Sequence, residues 1–458
     1  MKRSFRELMA ARLPGYQKKV NADYQRIIWG MIYVTFFLIG AKIIGAVKEM
    51  AVAWQYGVSD IIDGYLFVFN LVNWPVSIWF SVISAVLIPL AVRARQDAPA
   101  ELPRFRAEML GFSLTMGVAF GLVTWIALRI LLESPWIGLA PGAQHAAIAA
   151  VGPFSLLLPL GCVISLFSVW MMSRESYINT LFEGIPALII LLAVLLTSSG
   201  RIEPLIWGTI VGTFVQLLML SISLARRDEL QPPLLQRAST QWQGIWSGIG
   251  IMIVAQAALS LAPISDQFFA AHLSPGSIAT LGYANRIMAL ILGLGATSVH
   301  RATLPVFSGI QAEFGDSDSQ NMALRLSGFI LAAGVPIVLI GWWLAPWAVA
   351  ILFQRGAFRL EDTIAVSEVL RYYLLQVPFY FAGIVLMSWT TSRSLYRVLL
   401  FSAAVVLVIK LICNAVLMQL YGVNGLAMGT SIMYLCYFFI LFVFIYYLRW
   451  RWHHEPAR

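Results

Sequence analysis

Basic side chains stand in this sequence where an apolar chain should have none. Lys42 and the adjacent pair Lys48 and Glu49 close one apolar run, Arg286, His300 and Arg301 lie within another, and Lys410 sits midway along a third with Asn414 one turn on. A charge at the centre of a membrane-spanning helix costs about 2.5–3.5 kcal/mol on insertion scales, so such residues persist where they face protein, water or cargo. At 1.5 Å per residue, Arg286 and Arg301 are about 22 Å apart along one helix. A ladder of positive charge on that scale suits an anionic cargo, and Lys42, Lys48, Arg286, His300, Arg301 and Lys410 are the candidates to bind it. The acidic residues are few. Glu49, Asp63 and Asp266 are candidates to neutralise these cations, to couple an ion, or to terminate helices, and Ser59 and Asp60 have the side chains of helix N-caps.

Plainer readings stand beside these. Lys48 and Glu49 are equally readable as a simple ion pair or a lysine snorkelling to an interface. His300 and Arg301 are within reach of headgroups, and Lys410 can serve a carboxylate or carbonyl for structural reasons alone. Arg174 and Arg393 read as topology anchors. Arg286 is the exception, placed too deep to snorkel fully.

Catalysis finds little support in the residue types. No nucleophile, base and orienting group converge, and no His/Cys set has metal spacing. Cys162, Cys413 and Cys436 fall in apolar runs as packing residues. No Gly-x-x-x-x-Gly-Lys-Ser/Thr loop occurs. Asp316-Ser317-Asp318 has an Asp-x-Asp form, which three residues in a polar stretch make a solvated turn rather than a metal site. The chain reads as a transporter, not an enzyme.

The elements that must position these charges are helices in lipid. The chain of 458 residues is 60% hydrophobic and 12% charged, more apolar surface than a soluble domain can cover. About 20 residues of helix span a hydrocarbon core of roughly 30 Å, and such stretches fall at 27–47, 64–92, 109–131, 147–172, 177–197 and 204–224, then at 244–265, 278–308, 326–352, 366–390, 398–419 and 425–447. The expected fold class is an all-α polytopic membrane protein of about twelve transmembrane helices. No run alternates as barrel strands do, and helices satisfy their own backbone in lipid.

One pattern occurs twice. Trp170-x-x-Ser173-Arg174-x-x-Tyr177 returns as Trp389-x-x-Ser392-Arg393-x-x-Tyr396, Gly64-Tyr65 as Gly282-Tyr283, Pro89 as Pro305, Gly111-Phe112 as Gly328-Phe329, and Gly208-x-x-x-Gly212-Thr213 as Gly425-x-x-x-Gly429-Thr430. Five echoes in register predict two six-helix lobes, 27–225 and 244–448, related as parallel repeats with a cavity between them. A basic arm (1–26), a proline-broken linker (226–243) on which the lobes rock, and a tail (449–458) complete the expected domains. The Gly-x-x-x-Gly pairs read as close helix packing within each lobe.

Basic residues cluster before the first stretch and after the second, sixth, tenth and twelfth, so both termini are expected in the cytoplasm. The loop with Arg355 and Arg359 is balanced by Glu361 and Asp362. The net charge of +9 therefore reads as topology and attraction to anionic membrane lipids, not as nucleic-acid binding. The arm lacks the short apolar core of a removed signal peptide and reads as a surface helix.

These residues resemble a known family. Ala41-Lys42-Ile43-Ile44-Gly45-Ala46-Val47-Lys48-Glu49 followed by Asp63, the run from Asp266 through Gly282-Tyr283-Ala284-Asn285-Arg286 to Leu304-Pro305, and Leu352-Phe353-Gln354-Arg355-Gly356-Ala357-Phe358 are similar to signatures of the MurJ/MviN lipid II flippases. These belong to the multidrug/oligosaccharidyl-lipid/polysaccharide (MOP) exporter superfamily. The resemblance implies a flippase that moves a polyprenyl-diphosphate-linked saccharide from the cytoplasmic to the outer leaflet of the bacterial cytoplasmic (inner) membrane by alternating access. It maps the family's cavity arginines onto Lys42, Lys48 and Arg286 and its acidic partners onto Glu49 and Asp63. Lysine keeps the charge but loses the planar grip on phosphate. No cofactor is implied beyond a coupling ion, Na+ or H+, or the membrane potential. Other cell-envelope polysaccharide synthesis proteins are the implied protein partners.

Two departures shape the expected cargo. Trp74-Pro75-Val76 stands where that family carries a further cavity arginine, and the two helices that form its lipid-tail groove are missing after the twelfth stretch. Both favour an exopolysaccharide or O-antigen repeat unit, with lipid II of peptidoglycan synthesis as the alternative. An ion-coupled drug exporter is a further alternative, though one for cationic drugs needs deep acidic residues. A polymerase or ligase would need a large outward loop, and the outward connections here are short.

Overall fold

The computed structural model describes residues 40–97, 99–174, 181–197, 200–242, 256, 260–293, 316–393 and 395–454. Those residues are helical with short connections. In chain order they form α1 (40–56), α2 (Asp60–Asp97), α3 (Leu102–Glu133), α4 (Pro141–Ser155), α5 (Leu157–Met172), α6 (Ile185–Leu196) and α7 (Glu203–Ala225). After the linker come α8 (260–271), α9 (Ser277–Gly293), α10 (Asp316–Phe353), α11 (Leu360–Leu374), α12 (Val377–Ser392), α13 (Tyr396–Tyr421) and α14 (Val423–His454). Seven spans among the described residues are long and apolar enough to cross a membrane, α11 with α12 counting as one, and an eighth is the pair α4 and α5, bent by 48°. The chain is an all-helical polytopic membrane protein.

Several boundaries differ from the sequence expectation. The stretch expected at 147–172 begins at Pro141 and breaks at Leu156. Pro159 has no N–H to give the Ser155 carbonyl, so the ladder is interrupted there. Asp316 opens α10 rather than sitting in a turn, because the helix runs a full 38 residues to Phe353. Ser59 occupies the cap position of α2, its carbonyl accepting from the Asp63 N–H at 3.0 Å, but its buried hydroxyl has no hydrogen-bond partner among the described residues.

Helices α2 to α7 pack against one another, and α10 to α14 do likewise. Their outward faces stay apolar: Val123, Ile126 and Ile130 on α3 and Phe329, Leu339 and Trp343 on α10 are exposed, as expected of surfaces solvated by lipid chains rather than water. The repeated residues do equivalent work. Gly208 and Gly212 lie against Ile190 and Pro186 of α6, and Gly425 and Gly429 against Leu417 and Asn414 of α13, so in both halves the glycine face admits the preceding helix. Trp170 and Trp389 are both buried, each under a guanidinium, that of Arg106 at 5.2 Å and that of Arg393 at 4.5 Å.

The linker folds back on α3. Leu234 donates its N–H to the Ala107 carbonyl at 2.9 Å. The buried Glu108 carboxylate accepts from Ala238 and Ser239 N–H (3.2 and 3.1 Å), Trp242 Nε1 (2.7 Å) and Arg104 Nε (3.0 Å). Arg106 and Arg174 both pair with Glu229, so Arg174 does more than mark topology. Removing the Glu108 carboxylate strands four donors, and the two buried ones, Ser239 N–H and Trp242 Nε1, each cost about 1–3 kcal/mol when unpaired. Glu108→Ala is therefore expected to release the linker and raise tryptic cleavage at Arg226, Arg227 and Arg237 about tenfold or more. Unchanged cleavage would show that docking rests on other contacts.

Candidate functional site

Where α1, α2, α8 and α9 meet α11 to α14, a cavity of about 810 Å³ opens, in the upper part of the range of small-molecule sites, about 300–1,000 Å³. Its walls differ in chemistry. On one side α1, α2 and α9 contribute Lys48, Glu49, Asn70, Asn285 and Arg286. Glu49 is shared there by two cations: it pairs with Lys48, and its Oε2 lies 2.8 Å from Arg286 Nη1. The Arg286 guanidinium also lies over the Tyr283 ring at 5.3 Å. One carboxylate against two cations leaves this wall with a positive excess. Arg286 lies about nine residues into α9, roughly 14 Å along the helix, and keeps about a quarter of its side-chain surface open.

The lining contributed by α11 to α14 is aromatic and polar. Tyr373 and Gln376 from the α11–α12 region, Tyr380 from α12 and Tyr434 and Tyr437 from α14 form it, with Lys410 of α13. Lys410 is buried, and its Nζ meets Asp266 Oδ1 at 2.7 Å, Thr430 Oγ1 at 2.5 Å and the Leu426 carbonyl at 3.2 Å.

The structure thus brings Lys48, Glu49, Arg286, Asp266 and Lys410 to one cavity. It places others elsewhere. Lys42 is exposed on α1, off the cavity lining, where its charge acts on Glu183. Asp63 is buried away from the cations: its oxygens accept the Gly276 and Ala279 N–H groups at 2.7 and 2.6 Å, so it caps α9 from another helix. His300 and Arg301 lie outside the described residues. Asn70, Asn285, Gln376 and the tyrosines were missed as site residues, because uncharged polar groups are compatible with an ordinary membrane helix. Asn285 and Tyr283 did stand in the quoted motif beside Arg286. Trp74, the uncharged departure, donates Nε1 to Ser260 Oγ at 2.7 Å and ties α2 to the segment entering α8.

The cavity is closed at the end where α1 turns into α2. Tyr283 Oη donates to the Gly57 carbonyl at 3.1 Å, and Ala357 N–H to the Trp54 carbonyl at 2.8 Å. Tyr283, Phe353 and Phe358 form an aromatic plug beneath, with centroids 5.1–5.8 Å apart. Gly57 and Gly356 hold φ of 58° and 60°, and a Cβ on Gly356 would sit 2.3 Å from the Trp54 carbonyl. Left-handed backbone and lack of room together require glycine there.

A multi-pass helical protein with a central cavity lined by Lys48, Glu49, Arg286, Asp266 and Lys410 has the architecture of a membrane transporter. The family model for the lipid II flippase MurJ matches residues 52–456, and the chain belongs to the MurJ family. Two relatives named probable lipid II flippase MurJ are similar over most of their lengths. That of Buchnera aphidicola subsp. Baizongia pistaciae is 23% identical over 91% of this chain and 83% of its own. That of Bdellovibrio bacteriovorus is 24% identical over 89% and 80%. Among solved structures, a lipid II flippase MurJ in an inward closed conformation aligns with a TM-score of 0.78 at 18% identity, covering 91% of this chain and 87% of that one. An inward-facing MATE multidrug resistance transporter of the MOP superfamily aligns at 0.71 and 14% identity, covering 92% and 99%. These likenesses fix the fold and place the chain as a multi-pass protein of the bacterial inner membrane. They favour the lipid II alternative over the repeat-unit cargo that the sequence departures suggested.

Proposed function

We propose that this chain flips a polyprenyl-diphosphate-linked saccharide, of the lipid II class, across the cytoplasmic membrane. The observation that carries this reading is the Lys48, Glu49 and Arg286 cluster inside a cavity sealed at one end. A diphosphate crosses hydrocarbon only if its charge is compensated, because bare desolvation costs several kcal/mol per ion. Arg286, held by Glu49 when the cavity is empty, exchanges that carboxylate for the diphosphate, and Lys48 adds a second cation. The tyrosine and glutamine wall faces the saccharide, with ring faces for sugar C–H groups and hydroxyl and amide partners for sugar hydroxyls. The polyprenyl tail stays in lipid.

The sealed end carries Arg201, Arg355 and Arg359 with Glu203, Glu361 and Asp362 beside them in sequence, whereas Arg95, Arg104, Arg106, Arg174, Arg226, Arg227 and Arg237 mark the linker end, so the basic excess assigns the sealed end to the outer face and the cavity to cytoplasmic loading. Alternating access then requires the outer contacts to part as the linker end closes. An ion gradient or the membrane potential, worth about 2.3 kcal/mol per charge per 100 mV, supplies the bias.

The test is flipping in proteoliposomes of fluorescent lipid II and, in parallel, of a polyprenyl-diphosphate repeat unit. Lipid II is expected to move, and Lys48→Ala to slow it about tenfold, as loss of one charge-assisted contact predicts. Movement of the repeat unit alone would return the cargo to the exopolysaccharide or O-antigen class. Movement of neither lipid would reject the function.

A further inference from the structure

The surroundings of Lys410 are those of a bound metal cation rather than of a surface ion pair. Three oxygens of three kinds converge on its Nζ: the Asp266 carboxylate at 2.7 Å, the Thr430 hydroxyl at 2.5 Å and the Leu426 carbonyl at 3.2 Å. An ammonium has three N–H donors, and here each has an oxygen. Asn414, fully buried one turn along α13, donates to the same Asp266 oxygen at 2.7 Å, while its Oδ1 has no hydrogen-bond partner among the described residues. Tyr373 hydrogen-bonds Thr430 and closes the arrangement from α11.

Mixed carboxylate, carbonyl and hydroxyl oxygens are how proteins hold hard cations, and the number of charged ligands sets which cation is held. A single carboxylate among neutral oxygens matches a monovalent charge. The ammonium is a compact point charge that satisfies such a set as an alkali cation would. The set also joins three elements, α8 through Asp266, α13 through Asn414 and α14 through Leu426 and Thr430, at the cavity wall. A cation there is a structural tie between helices that line the transport path.

We propose that Lys410 is a tethered cation occupying an oxygen cage suited to Na+, so that the wild-type chain carries its own ion at this place and binds no dissociable Na+ in it. The inference extends beyond the flippase reading and does not depend on it, because its readout is ion binding. Lys410→Ala should convert the cage into a Na+ site.

The test compares the purified full-length chain in NaCl and in choline chloride at equal ionic strength, by 22Na+ binding and thermal unfolding. The wild type is expected to show the same unfolding temperature in both salts and no saturable Na+ binding that Asp266→Asn removes. Lys410→Ala is expected to gain one saturable Na+ site and to unfold at a higher temperature in Na+ than in choline, and Lys410→Ala/Asp266→Asn to lose both gains. Should Lys410→Ala fold only when Na+ is present throughout purification, that rescue supports the proposal too. Saturable Na+ binding by the wild type that depends on Asp266 would overturn it. So would a Lys410→Ala chain indifferent to Na+, or one that Na+ fails to rescue.

Discussion

Replacing Arg286 with alanine is expected to lower the rate of lipid-linked saccharide flipping by about 10- to 100-fold while the chain stays folded. A hydrogen bond to a charged group contributes about 1.5–3 kcal/mol, and each 1.4 kcal/mol is a factor of ten. The loss belongs to transport rather than folding for a geometric reason. Arg286 is partly open to the cavity, and Glu49, its partner at 2.8 Å, keeps Lys48 when the guanidinium is gone. Arg286→Lys is expected to fall between, keeping the charge but not the planar fork that grips two phosphate oxygens at once. Initial rates in proteoliposomes with matched protein density give the comparison. An Arg286→Ala chain that flips at the wild-type rate would remove the guanidinium from the transport path and with it the proposed role of this wall.

That the sequence marked Arg286, Lys48 and Lys410, which line the cavity, has an energetic basis. An ion in an apolar run is expensive wherever lipid surrounds it, so its survival announces protein, water or ligand nearby. The two-fold pattern was readable for a similar reason, since glycines and buried tryptophans are demanded by close packing and recur where the packing recurs. What stayed hidden was pairing. Nothing in the spacing of Asp266, Lys410 and Thr430 says that they meet, because Asp266 on α8 lies far along the chain from Lys410 and Thr430 on the consecutive helices α13 and α14 and joins them only after packing. Asp63 shows the same limit. Its charge marked it, but its partners are backbone N–H groups, which every residue has.

Helix boundaries were legible to within two residues at 204–224 and 398–419, the places of α7 and α13, and less so elsewhere: α3 begins at Leu102 rather than 109 and α10 at Asp316 rather than 326. The stretch expected at 366–390 is two helices, α11 and α12, meeting at Leu375 and Gln376. Pro378, in the first turn of α12, favours a helix start at this point. Gln376 is nevertheless buried and lines the cavity, so the junction that sequence reading smoothed over is part of the site. Lys42 is the contrasting case, exposed and off the cavity lining. Charge and motif both recommended it, yet its place on α1 turns it away from the cavity that Lys48, six residues on, reaches.

Asp63→Ala is expected to open the sealed end. Two charge-assisted bonds to the first turn of α9 disappear, and with them an anion at a helix N-terminus, itself worth about 0.3–1 kcal/mol. Taken with about 1.5–3 kcal/mol for each bond to a charged acceptor, a bias of roughly 3 kcal/mol or more is removed from the closed arrangement, enough to change the open-to-closed ratio about 100-fold. The closed arrangement has these bonds, from Gly276 and Ala279 at α9 to Asp63 on α2, and under the proposed alternating access the open one lacks them. Spin labels at the exposed Trp136 and Ser274 report the separation across this end, and the variant should populate a longer distance than the wild type. Asp63→Asn keeps an acceptor oxygen without the charge and should lie between the two. Gly356→Val approaches the same contact from the other side: its Cβ cannot fit against the Trp54 carbonyl, and φ near 60° strains a branched side chain. If both Asp63→Ala and Gly356→Val fold and leave the distance distribution unchanged, the seal is held by the Tyr283, Phe353 and Phe358 plug, and the carboxylate is a helix cap without a part in gating.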